Sequence, residues 1–135
     1  MSPEPLTDRN REERAAITEA AFRIANERMF AWEERHADGA PEYYLCECAV
    51  GECREKIALT RVEYESVRAD SHHFSVVPGH EIPDLETVVR SESHFNVVEK
   101  PQALHHLVVE TDPREPGTGD DSRAAEEVAA GLDDD

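Results

Sequence analysis

No apolar run in this chain approaches the roughly 18 residues that a membrane-spanning helix needs. Its opening, MSPEPLTDRNREER, lacks the charged-then-apolar layout of a secretory signal, so the expected location is cytoplasmic. Positive charge is scarce: 14 Lys and Arg stand against 31 Asp and Glu, a formal net charge of −17. Such a surface repels phosphate backbones and anionic lipid heads, which argues against direct contact with nucleic acid or membrane. Aromatics are few, and Tyr43 and Tyr44 have no positive neighbours that would make them a stacking platform for bases. The six glycines are scattered and form no phosphate-cradling loop. Ser71, Ser75 and Ser91 have no placed His–Asp pair, so serine nucleophile chemistry is unsupported. There is no internal repeat. Cysteine is absent outside residues 46–53, and the three present cannot all pair internally.

What is present is acid, and it is unevenly spread. Residues 101–135 hold 2 basic and 10 acidic side chains, nearly half the excess in a quarter of the length. A basic protein partner or a metal cation suits this field. Acidity is equally a plain solubility device. The expected organisation is a disordered leader over 1–8, a single α+β domain over 9–110, and an acidic disordered tail over 111–135. In that tail an Ala-rich patch at 123–132 can be transiently helical.

Within the domain, residues 10–36 read as one long helix. Ile17, Ala21, Ile24 and Ala25 form a stripe, flanked by Phe22, Met29 and Trp32, and Gly39 and Pro41 stop it. The stripe is expected to dock on the protein's own sheet; a helix-mediated homodimer is the other use for it. Residues 43–50 are rich in strand formers, and Tyr43 and Tyr44 should point to opposite faces. Residues 56–59 return. Thr60-Arg61-Val62-Glu63 has the layout of a capping box, predicting a helix over 61–69 with Val62, Tyr64 and Val67 buried. A strand at 74–77 is closed by Pro78-Gly79. Residues 86–89 and 95–99 suggest an antiparallel hairpin, and 104–110 a third strand. The expected fold is thus α+β: a long N-terminal helix on a small, mainly antiparallel sheet, with a second short helix and a metal knuckle.

Cys46, Cys48 and Cys53 carry the chemistry. In an extended strand the first two share a face, and four intervening residues let Cys53 turn back toward them. Three thiolates can hold a tetrahedral Zn²⁺ and stabilise a fold whose core is small. Cysteine is also a common core residue, but these three sit among Glu47, Glu52, Arg54 and Glu55. For a fourth ligand His80 is preferred, because Pro78-Gly79 and Pro83 restrain its loop. His72 and His73 compete, His105 and His106 are more remote, and water as fourth ligand would leave an open site with Glu81 as a base beside it.

The sequence also resembles a family of small uncharacterised bacterial proteins, over roughly residues 20–112. The resemblance rests on Phe22-Arg23-Ile24-Ala25-Asn26-Glu27-Arg28, the Leu45-Cys46-Glu47-Cys48 to Cys53 run, and Ile57-Ala58-Leu59-Thr60. It continues through Glu63-Tyr64-Glu65 with Val67-Arg68, Val77-Pro78-Gly79-His80-Glu81, and Val97-Val98-Glu99-Lys100. It implies a structural unit and a site, not an activity. Its pattern contains the cysteines and the Pro-Gly-His-Glu loop but not His72, His73, His105 or His106, which favours His80.

The expected function is therefore a metal-stabilised, zinc-holding binding or regulatory module, more a partner for another protein than an enzyme. A metal-dependent hydrolase, a thiol redox enzyme or an iron–sulfur sensor on the same cysteines is the alternative.

Overall fold

The computed structural model describes residues 9–33, 41–115 and 119–132. The leader expected over 1–8 and the expected helix end at 34–36 lie outside the described residues.

Helix α1 runs Arg11–Glu33. Asn10 caps it: its Oδ1 accepts the Glu13 N–H (2.8 Å) while the Glu13 carboxylate accepts the Asn10 N–H (3.3 Å). Strands β1 (Glu42–Leu45) and β2 (Lys56–Leu59) pair antiparallel, Tyr44 opposite Ile57. Tyr44 is buried and Tyr43 exposed, as alternation requires. Helix α2 (Arg61–Arg68) starts at the expected capping box: Thr60 Oγ1 accepts the Glu63 N–H at 3.1 Å, and the Glu63 carboxylate accepts the Thr60 N–H at 2.9 Å. Strands β3 (His73–Val76), β4 (Thr87–Ser91) and β5 (Asn96–Glu99) form a second antiparallel sheet in the order β3-β5-β4, with a bulge between Val88 and Arg90. A 3₁₀ turn at Gln102–Leu104 leads into α3 (His105–Glu110), and α4 spans Asp120–Leu132.

The fold is α+β, a long helix packed on small antiparallel sheets with added short helices, and the expected single sheet is in fact two. The main core draws on both sheets together with α2 and α3. Tyr44 and Tyr64 stack with centroids 4.4 Å apart, surrounded by Ile57, Leu59, Phe74, Phe95 and Val98. Burial of these side chains is the main stabilising term.

Several expectations need correcting. Residues 104–110 are not a third strand but a turn and helix. Leu104, Leu107 and Val108 sit at helical spacing and face inward, and that period outweighs the β-branched composition. Val62 is 80% exposed, because Tyr64, Val67 and Arg68 define the inner face of α2 and Val62 lies opposite. Trp32 is half exposed at the end of α1.

The largest correction concerns the tail. Thr111 and Asp112 are buried, and Asp112 pairs with Arg68 and accepts from Ser71 Oγ (2.6 Å). Helix α4 then packs along α1, with Ala125 and Ala129 against Ala20, Ala21 and Ile24, and Ala124 against Ile17 and Leu107. Alanine side chains let two helices approach closely; Arg28 meets Glu126 at the surface, and the largely buried Arg9 meets Asp121. The α1 stripe therefore does not dock on a sheet as expected: Ile17, Ala21 and Ile24 pack on α4 and α3, while Met29 and Phe30 of α1 meet the core that the sheets build.

Candidate metal centre

Strand β1 ends at Leu45, so the first two cysteines lie just beyond it, not within a strand. There the chain passes from one sheet to the other. Cys46 N–H donates to Glu55 O (3.0 Å), continuing the β1–β2 ladder, and Glu47 N–H donates to Ser75 O of β3 (2.8 Å). Cys46 and Cys48 point one way into the core edge, and Glu47 points the other way and is fully buried. A turn follows, closed by Cys53 N–H on Val50 O at 3.0 Å, and it brings Cys53 back. His80 arrives from the loop after β3. Gly79 there has φ +97°, a conformation that a side chain would strain, and His80 N–H bonds to Val77 O (2.9 Å).

These segments bring together one donor atom each from Cys46, Cys48, Cys53 and His80, all within 4.8 Å of one another. His80 Nδ1 lies 3.5 Å from Cys46 Sγ and 3.8 Å from Cys53 Sγ. Around a tetrahedral ion with thiolates at about 2.3 Å and imidazole at about 2.05 Å, the sulfur–nitrogen edge is about 3.6 Å. The two His80–cysteine edges therefore match the spacing that a bound ion requires, and the four residues form a group that could hold a metal. Outside the donor set, His80 Nε2 is 2.9 Å from the Glu55 carboxylate. An Nε2 proton donated there leaves the Nδ1 lone pair aimed at the sulfurs, the carboxylate–imidazole arrangement typical of metal ligands. Val77 N–H donates to Cys46 Sγ at 3.2 Å, a bond that favours the thiolate.

The thiols differ. A hydrogen bond with Cys48 and burial push the Cys46 thiol up, and the same bond, received by Cys48, brings Cys48 down to about 5. Burial raises Cys53. One thiolate is thus favoured even before a cation supplies its charge. Cys46 and Cys48 are buried, whereas Cys53 is half-buried. With His80, Val50, Glu52, Glu55 and Gly79 it lines an open cleft of about 530 Å³.

The other histidines are used elsewhere. His72 Nδ1 meets Lys100 O (2.9 Å) and its Nε2 meets His105 Nδ1 (2.8 Å). His73 Nε2 lies 3.0 Å from Glu99. His106 is a surface partner of Glu110. Glu81 is turned into its own loop, accepting from Gly79 N–H (2.8 Å) and Asn96 Nδ2 (3.3 Å), so both its oxygens are engaged.

Sequence reasoning overlooked the polar support beneath the centre. Asn26 of α1 binds both Leu45 N–H (2.8 Å) and Leu45 O (2.9 Å), and its Nδ2 also donates to Glu47 Oε2 (2.9 Å). Glu47 in turn accepts from Ser75 N–H at 3.0 Å. Burial pushes the Glu47 carboxyl up, and the Asn26 and Ser75 bonds pull it back. The available signal was alternation: if both cysteines face one side, Glu47 must face the other, and that side is covered as well.

No protein-family model, no curated protein and no solved structure matches this chain.

Proposed function

We propose that this protein is a small zinc-stabilised binding or regulatory module that acts through contact with another protein. The carrying observation is the convergence of three thiols and one imidazole, from three separate backbone segments, to within 4.8 Å of one another, with His80 Nδ1 at 3.5 and 3.8 Å from two of the sulfurs. Four protein donors complete a closed tetrahedron, which is the pattern of a structural site and not of a catalytic one with a water position. Zn²⁺ fits because thiolate and neutral imidazole are its preferred donors. When bound, the ion would supply a crosslink between the β1 exit, the 50–53 turn and the loop after β3. The net charge of −17 favours a partner with basic surface.

Metal content and the visible spectrum of freshly purified, reduced protein test this reading, with Cys48→Ser measured alongside. One zinc per chain, no colour, and loss of both metal and cooperative unfolding in the variant are the expected results. A brown protein would replace zinc with an iron–sulfur cluster, and loss of metal with an unchanged melting profile would remove the structural role.

A further inference from the structure

The four donors are not equally accessible. Cys46 is the deepest: its backbone is in the ladder to Glu55, and its sulfur carries the Val77 N–H. Cys48 is buried too, but it opens the exposed 49–52 turn. Cys53 closes that turn and stands on the wall of the 530 Å³ cleft beside His80. A small solute can therefore approach a single sulfur of the cluster without any backbone opening.

We infer that Cys53 is the centre's point of chemical attack, and that a peroxide entering the cleft oxidises Cys53 and Cys48 to a disulfide and expels the metal. This rests on the metal-bound reading above and assigns that site a regulation.

The Cys53 thiolate attacks one peroxide oxygen; the O–O bond breaks, leaving a sulfenic acid on Cys53 and hydroxide. The Cys48 thiolate then attacks the Cys53 sulfur, forming the S–S bond and expelling a second hydroxide. Two thiolates and one peroxide thus give one disulfide and two hydroxides, which two protons from the buffer acid convert to water. Both sulfurs are oxidised and both oxygens reduced. Cys48 is the resolving thiol because it shares the exposed turn with Cys53, whereas a move by Cys46 would break the Glu55 and Val77 bonds. Cys46 and His80 alone are too few donors to retain the ion.

The sequence permits a direct assignment. Cleavage after glutamate at Glu47 and Glu52 separates all three cysteines into different peptides. The full-length protein, its zinc content first measured, is treated with hydrogen peroxide and followed by a zinc-binding dye and by peptide mass. Zinc release in step with a Cys48–Cys53 linked peptide is expected. A Cys46-containing disulfide, or zinc loss without any disulfide, would overturn the assignment. In parallel, substoichiometric N-ethylmaleimide should modify Cys53 about tenfold faster than either buried cysteine, because only those two require local opening. Equal labelling overturns the inference. Absence of zinc would defeat the metal-bound reading separately, and labelling order would still decide whether Cys53 is attacked first. Cys53→His keeps four donors and should retain zinc while losing peroxide sensitivity. If that variant does not fold, the wild-type peptide map decides alone.

Discussion

Helix α1 has two flanks built on opposite principles. Its outer flank meets α4 through Ala20, Ala21 and Ile24 against Ala125 and Ala129, a seam of small apolar groups. Its inner flank presents Glu19, Arg23 and Asn26, all fully buried. Glu19 pairs with Lys100 at 2.9 Å. Arg23 donates to Ser71 O (2.6 Å) and Val108 O (2.9 Å), with its guanidinium 4.3 Å above the Phe74 ring. The seam is non-directional: any well-shaped apolar pair fills it. The inner contacts are directional, and a helix displaced by one turn would leave each of them unpaired in the core. The inner flank thus sets where α1 sits, and through Asn26 and Leu45 it sets where Cys46 sits; the seam only covers what remains.

The sharpest way to break this contrast is Lys100→Met, which leaves Glu19 buried without its cation. A loss of about 3–5 kcal/mol is expected in urea titrations near neutral pH. The pH dependence checks the cause. Burial already holds the Glu19 carboxyl well above the ordinary range, and Lys100 draws it back. Without that pull the variant folds with Glu19 protonated. Its folded-state pKa then exceeds the unfolded value of about 4.3, so stability is full below that value and falls as pH rises through the folded pKa. The deficit should therefore widen from acidic to mildly alkaline pH, and Glu19→Gln added to Lys100→Met should flatten the slope. A single variant equally stable at pH 5 and pH 8 would remove Glu19 as the cause.

Asn26→Ala ranks next. It removes the three bonds that clamp Leu45 and Glu47, and the groups left behind are buried. A cost of about 2–4 kcal/mol follows. Because Leu45 leads directly into Cys46, metal affinity at the proposed centre should also fall about tenfold, as for other losses of support behind a metal ligand. Competition with a chelator reads this separately from stability. Unchanged affinity in a destabilised Asn26→Ala protein would show that the centre is positioned independently of α1.

This contrast explains what the sequence could and could not tell. Local signals were readable because neighbouring residues complete them: Thr60 with Glu63, Pro78 with Gly79, the β4–β5 hairpin, and three cysteines within one turn. His80 was reachable because its loop is restrained on both sides. Glu19, Arg23 and Glu47 were not readable as core, since a charged side chain is ordinarily solvated and its buried partners, such as Lys100, lie far along the chain. Helix α4 was expected only as a transient patch within a disordered tail, for the converse reason. Its buried residues are alanines, which contribute little to a hydrophobic pattern, while its visible residues are acids that suggest disorder.

The smallest effect belongs to the seam. Ala125 is fully buried against α1, with no polar group to satisfy, so Ala125→Leu acts by volume alone. Overpacking should cost about 1–3 kcal/mol, relieved in part by a shift of α4 along its partner. Nothing in that shift reaches Asn26 or Leu45, which lie on the other flank, so metal stoichiometry and chelator competition at the proposed centre should match the unsubstituted protein. Melting temperature and metal affinity would then move independently here and together in Asn26→Ala. If Ala125→Leu releases metal as readily as Asn26→Ala does, the two flanks are mechanically coupled, and α4 belongs to the support of the proposed metal centre instead of merely covering α1.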